Sequence, residues 1–510
     1  MITSYSLKKI VTAASLLSLS LVSLNIVAQT ERRIELLNSN TMEYNKSLGN
    51  GAKRLIGNVQ FKQNQAIMNC DSAYFYDDNT VDAFGNIHIN QGDTVHLYGD
   101  LLHYDGNEKL AKVRNNVRLI DKATKLVTDV IEYNTRDNIA YYTTGGKITN
   151  GPDSLESQIG YYYANEKMFY FHKKVRVKNV RYTILSDTLK YQTIIRQAYF
   201  FGPTRIISKE NFIYCENGWY NTLTNKAQFQ KNAYLQGKGQ KLEGDSITYD
   251  RNLSLGRAFH NVQLTDSAHN TLLRGHYGEY CEKPEAALMT DKAQLIKIDS
   301  KGDSLFIHSD TLRMQLDTTG FFREFASYYG VRLFKTDMQG ICDSLTFSFS
   351  DSTFRMYHNP VLWSGENQIS ASFIDLVTKN NQMKLAHILN SAMIVSKEDT
   401  TLFNQIKGRD MLGLFVNNEL TQINVTGNSQ TVYYPKDGND IIGMNRAEST
   451  NLQIFLENRK VRRIRFITQP AATLYPLKDA PEDQKVLKGF QWHGEERPVS
   501  SQDIFRKIKK

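Results

Sequence analysis

The stretch "YGDLLHYDGNEKLAKVRNNVRLID" runs from Tyr98 to Asp121. A near copy, "CDSAYFYDDNTVDAFGNIHIN", precedes it at Cys70 to Asn90, and another, "EGDSITYDRNLSLGRAFHNVQLTD", follows at Glu243 to Asp266. With Asp100 as an anchor, Leu102 and Tyr104 stand two and four residues on. The same frame recurs at Asp71, Asp129, Asp187, Asp245, Asp310, Asp343 and Asp410. Weaker copies start at Asn40, Ser157, Glu216, His276, Ser372 and Glu448. The anchors lie about 29 residues apart, loosening toward the C-terminus, and a fixed period of that length marks a repeat architecture.

The spacing inside a copy gives its local structure. Offsets 0, +2 and +4 share one face of an extended chain. That face is apolar at +2 and +4, while the other carries residues such as Ser246, Thr248, Thr188 and Lys190. Period-two alternation predicts a half-buried strand, and a helix would need apolar residues three and four apart. About 16 residues after an anchor come "GNV" at Gly57, "GNI" at Gly85, "NNV" at Asn115, "KNA" at Lys231 and "HNV" at His260. Gly and Asn tolerate positive φ, so these are turns or bulges that re-aim the chain. One unit cannot bury its own apolar face. Stacked units can, so the array folds as one elongated all-β object of about 14 units.

The frame "GD-x-L-x-YD … A-x-(G/N)NV-x-(L/I)-x-D" resembles the OstA/LptA superfamily, and most of all the longer OstA-like proteins of Bacteroidetes-type bacteria. The likeness is densest from Leu36 to Asp266 and thins after Asp399. It implies a β-jellyroll of short antiparallel strands forming a V-shaped trough that carries lipid acyl chains. The partners it implies are lipopolysaccharide or a related lipid, an outer-membrane translocon, and other jellyroll proteins stacked edge to edge. Two features depart from the family. The chain is much longer than a single-domain bridge protein, and its end, "DIFRKIKK", is basic and lacks the terminal aromatic of an outer-membrane barrel. These favour a soluble or peripheral periplasmic role over a translocon. Independently, exposing each methylene of an acyl chain costs about 0.8 kcal/mol, so a lipid in transit needs apolar shelter.

The +4 aromatics Phe75, Tyr104, Tyr133, Tyr161, Tyr191, Tyr220, Tyr249, Tyr280 and Phe347 are the candidate lipid-binding ladder. The alternative is that they pack a closed core, as any repeat array needs. The anchor acids recur on every rung, which suits corner residues accepting hydrogen bonds better than a catalytic pair. There is no G-x-S-x-G, H-E-x-x-H or P-loop, so no enzyme activity and no cofactor are expected. His260, His269 and His276 lack the spacing of a metal site, and none is expected. A rival class, a carbohydrate-acting or adhesive β-solenoid, would cluster its acids on neighbouring rungs. A third reading is a structural periplasmic scaffold.

Cys70, Cys215 and Cys342 each precede an anchor, where other copies have Gly99, Thr128, Ser186, Gly244, Ser309 or Ala371. The position demands smallness. Cys70 and Cys215 are five copies apart, beyond the ~7 Å reach of a disulfide, so free thiols are expected.

At the N-terminus, Lys8 and Lys9 precede an apolar, Ser-rich run that ends in "NIVAQ". This reads as a signal peptide over 1–28, cut after Ala28, with a retained membrane anchor as the alternative; the expected location is the periplasm, free there or peripheral to the outer membrane. The expected organisation is then 29–300 as the family-like repeats, 301–468 as their divergent continuation, and 469–510 as a Pro- and charge-rich tail. Four of the nine prolines fall in that tail. Its end suits either a docking peptide or a disordered terminus. The formal charge of +9 is scattered, with no Lys/Arg run interleaved with aromatics, so no nucleic acid is expected.

Overall fold

The computed structural model describes residues 34–507, except 45, 50, 64, 92–94, 181, 210, 238, 268–269, 283–284, 299–302, 317–321, 380–381, 418, 439 and 458–459. The signal-peptide segment and His269 lie outside the described residues. The described chain is an all-β repeat array: antiparallel strands joined mostly by tight hairpins, with only short 3₁₀ turns besides. No helix among the described residues is long and apolar enough to cross a membrane. The chain divides into two compact units between Leu253 and Ser254.

The quoted stretch forms strands Val95–Asp105 and Leu110–Asp121, paired with Leu102 opposite Val113. Their turn is closed by Asp105, whose Oδ1 accepts the N–H groups of Asn107 (2.8 Å) and Glu108 (3.0 Å). Successive turns stack by asparagine side chains. Asn107 donates to Asp78 O, Asn165 to Asp137 O and Asn252 to Thr224 O, over 29, 28 and 28 residues. The sequence period is therefore the distance along the chain between neighbouring hairpins.

Each long strand bends at the motif identified as a corner. Two successive residues take positive φ: Gly57–Asn58, Gly85–Asn86, Asn115–Asn116, Lys231–Asn232 and His260–Asn261 all do so. The pairing register shifts at these places, for example between Ile56 and Val59. Left-handed backbone costs an L-residue roughly 1–2 kcal/mol, and least for Asn and Gly. The anchor opposite helps to offset it. Asp71 accepts Asn86 Nδ2 (2.9 Å), Asp100 accepts Asn116 Nδ2 (2.6 Å) and Glu216 accepts Asn232 Nδ2 (2.8 Å). These anchors are corner residues bonded to side-chain amides, while Asp187 and Asp343 accept the neighbouring hydroxyls of Thr188 (3.0 Å) and Ser344 (2.8 Å).

Inside each bend sits the small residue before the anchor. Cys70, Thr128, Ser186, Cys215, Ser309, Cys342 and Ala371 are all buried there. A Cβ added at Gly275, in the same slot, would sit 2.7 Å from Met289 Cγ. Cys70, Cys215 and Cys342 are free thiols, as expected. Burial raises the Cys70 thiol to about 11 and the Cys215 thiol to about 12. Thiolate is the reactive form. Native protein at neutral pH should therefore leave both unalkylated, and denatured protein should take up label at each; an intact-mass measurement reads this directly. Cys215→Ser should cost under ~1.5 kcal/mol, whereas Cys215→Leu should overpack the bend by ~1–3 kcal/mol.

In the first unit the bend turns the two halves of each strand toward one another. Leu55, Ala73, Val113 and Ile131 from one half, and Phe61, Val117 and Leu126 from the other, share one apolar core. Each such side chain contributes roughly 1.5–3 kcal/mol when fully buried.

In the second unit the strands run on past residue 468, since Ala471–Tyr475 pairs with Met444–Glu457. The described tail beyond, to residue 507, is held against the sheet. It lies along one cross-strand row on the outer face: Gln339, Trp363, Gln368, Val395, Gln405, Val432 and Arg446, each paired with the next. Gln405 donates to Lys485 O (2.9 Å) and accepts Leu487 N–H (2.8 Å). Gln368 does the same with Gln491 O and His493 N–H, at 2.7 Å each. Arg446 donates to Gln484 O, and Arg332 to Glu496 O. Leu487 packs with Met393, Val395, Val432 and Met444, and Phe490 and Trp492 contact Phe403. The tail is a strap.

Candidate functional site

In the first unit the inward rows leave space between the halves. One cavity of about 270 Å³ is lined by Phe61, Met68, Ile89, Leu97, Leu102, Tyr104 and Tyr133 among others. A second, of about 110 Å³, is lined by Leu126, Ile148, Leu155, Tyr162, Phe169, Phe171, Val177, Ile184 and Tyr191 among others. The two share Leu119, Ile131, Ala140 and Tyr162, so they form one apolar track across successive rungs. Where the far ends of the halves meet, Gln63 donates to Tyr104 Oη (3.3 Å). A neutral bond of this kind contributes about 1 kcal/mol net, a small obstacle to parting.

The expected ladder falls into place unevenly. Tyr104 and Tyr133 line the larger cavity and Tyr191 the smaller. Phe75 packs edge-on against Phe61 in the same core. Tyr220 is buried, and Tyr249 continues its row through Ala227. In the second unit Tyr280 pairs with Gly256 and Ala287, and Phe347 stacks on Phe354.

Tyr161 corrects the sequence reading. It borders the smaller cavity, but it pairs with Tyr141 and Tyr170 and its ring stacks on Tyr141 at 5.5 Å, off the buried inward row. Its neighbour Tyr162 pairs with Ala140 and Phe169 and is the buried, inward residue. The cause is a one-residue slip. Ser157 fills the small position, bonded to Tyr142 Oη (2.7 Å), so Gln158 is the true anchor. Asp410 slips likewise: Met411 is buried and pairs with inward Ile388, so Leu412 and Leu414 face out. A one-residue shift in a strand moves every side chain to the other face.

Sequence reasoning missed a polar row along one rim. Asp121 pairs with Thr124, Thr124 with Asn150, and Asn150 with Asp153, all on the inward parity of Leu119, Leu126 and Leu155. Asp121, Thr124 and Asp153 are buried. Asn179 donates to Asp153, and Asn150 to Thr124 Oγ1 (3.3 Å). Burial raises the Asp121 carboxyl above its ordinary range. The clue was the Asp that ends "VRLID", on the inward offset of its strand.

No group of three or more His, Cys, Asp or Glu that could hold a metal occurs among the described residues. His260 sits on a corner, and His276 begins the far half of strand Thr271–Glu282. The anchor carboxylates stand one per bend, so they do not converge on one point.

Residues 31–187 and 174–245 match the family described as OstA-like protein. No curated protein matches the sequence. Among solved structures, one similar chain is LptH of Pseudomonas aeruginosa, described as the LptA homologous periplasmic component of the conserved lipopolysaccharide transport device. It is 14% identical over 19% of this chain and 76% of that one, with a TM-score of 0.18. The family match spans the repeats whose bends, small inner residues and apolar track are described above, and residues 31–245 are the OstA-like part of this chain.

Proposed function

We propose that this protein is a non-enzymatic periplasmic factor of lipopolysaccharide transport or outer-membrane assembly that shelters acyl chains in the track of its first unit. The observation that carries the reading is the pair of cavities sharing Leu119, Ile131, Ala140 and Tyr162, with walls almost wholly aliphatic and aromatic. A chain moving along such a track exchanges one apolar neighbour for another, so no step exposes methylenes to water. The signal peptide is part of the same reading, as are a lipid partner and neighbouring jellyroll proteins. The test is direct titration. Purified mature protein should bind a fluorescent fatty-acyl probe, and lipopolysaccharide should displace it. Failure to bind either ligand, with the β-structure intact, would leave the scaffold reading in its place.

A further inference from the structure

The track has a polar end, and it differs from the equivalent places elsewhere in the chain. Three buried aspartates end inward strand rows: Asp121 and Asp153 in the first unit, and Asp266 at the corresponding offset of its own strand in the second. Asp153 takes a hydrogen bond from Asn179. Asp266 has Lys297 beside it, across Thr271, and their charges interact. Asp121 is 1% exposed, and neither of its carboxylate oxygens has a hydrogen-bond partner. Its cross-strand neighbours are Val95, which lines the larger cavity, and Thr124, which lines the smaller. Asp121 lines neither cavity itself, and these two neighbours place it at the end of a strand row that borders both.

An unpaired buried acceptor is costly, and native proteins seldom keep one without a use. We infer that Asp121, with Thr124 and Asp153, seats the head of the lipid whose acyl chain lies in the track, and that this head presents hydrogen-bond donors: hydroxyl, amide N–H or ammonium groups. A bare anionic head would meet only acceptors at Asp121 and gain nothing. The inference rests on the acyl track proposed above and assigns its head-group end.

The experiment uses the mature full-length chain and three single-chain amphiphiles below their micelle concentrations: dodecyl maltoside, with hydroxyl donors; dodecylammonium, with a charged donor; and laurate, with none. Each is titrated against the fluorescent acyl probe in wild type, Asp121→Asn and Asp121→Leu. At least one donor-headed amphiphile should bind wild type about tenfold more tightly than laurate, a difference of ~1.4 kcal/mol. Asp121→Leu should erase that preference, while Asp121→Asn, which keeps one acceptor, should retain part of it. Comparing the two donor heads tells hydroxyl from ammonium recognition. Removing an unpaired buried carboxylate should also raise the melting temperature of the empty Asp121→Leu protein. Equal binding of all three amphiphiles, or a lower melting temperature in Asp121→Leu, would overturn the seat and leave the track standing. No binding of any amphiphile or of the probe would overturn the track itself.

Discussion

Ending the chain after Pro476 is expected to destabilise the second unit by on the order of 5 kcal/mol. The strap buries Leu487 and Ile504 completely, each worth roughly 1.5–3 kcal/mol, and packs against Val395, Val432 and Met444. A domain's whole stability is typically about 5–15 kcal/mol, so the loss is a large fraction of it. Hydrogen exchange should show lost protection in strands Met393–Lys397 and Phe403–Lys407, and the bared stripe should bind an apolar dye. Two point variants divide the effect. Leu487→Ala should cost ~2–5 kcal/mol through its cavity. Gln405→Leu should cost ~1–3 kcal/mol, because Lys485 O and Leu487 N–H lose their partner. Unchanged protection in the truncated protein would mean that the strap contributes little in solution.

The second large effect concerns the track. Ala140 pairs with Tyr133 and Tyr162 and lines both cavities. Ala140→Phe should fill their junction and weaken binding of the acyl probe at least tenfold. The added ring costs ~1–3 kcal/mol if it overpacks, and less here because it enters empty space. Lys190→Phe places the same ring on the outer face, where Lys190 pairs with Tyr170 and Tyr199, and should leave binding unchanged. Equal binding by both variants would argue that acyl chains do not pass Ala140.

Much of this architecture is written locally, which is why it is legible. The anchor, the small residue before it and the Gly/Asn corner after it each have a residue-level cause, and these causes recur at Asp71, Asp100 and Glu216. The errors arise where the cause and the most visible letter differ by one place. Ser157 could pass for an anchor, because a hydroxyl serves at the bend as well as at the small position inside it. Asp410 is an acid beside the true anchor position, held by Arg409 Nε (2.8 Å) and the Asn390 amide. In both, parity alone could have found the slip: Tyr162 and Met411 continue the inward rows, and Tyr161 and Leu412 do not.

The strap was harder to foresee, yet it left a mark. Around "VRLID" the strand alternates, with Arg118 outward between Val117 and Leu119. In strand Met393–Lys397 three apolar residues stand in succession, and Met393, Ile394 and Val395 are all buried. A strand apolar on both faces has cover on both. Only the tail's own contacts, made across 38 to 164 residues of sequence, say what the cover is. The unpaired Asp121 was hidden for a similar reason: sequence places it on the inward offset, but its lack of a partner is a fact of three dimensions.

The central claim is that the interior of the first unit holds acyl chains, and site-specific photo-crosslinking tests it most directly. A photoreactive residue is placed at Tyr104 or Tyr133, which line the larger cavity, or at outward Lys190 or Thr248, and the protein is irradiated with lipopolysaccharide. Adducts at Tyr104 and Tyr133 with none at Lys190 and Thr248 are the expected result. Folded protein with no adducts at the inward pair, or with equal adducts at all four sites, would contradict the account.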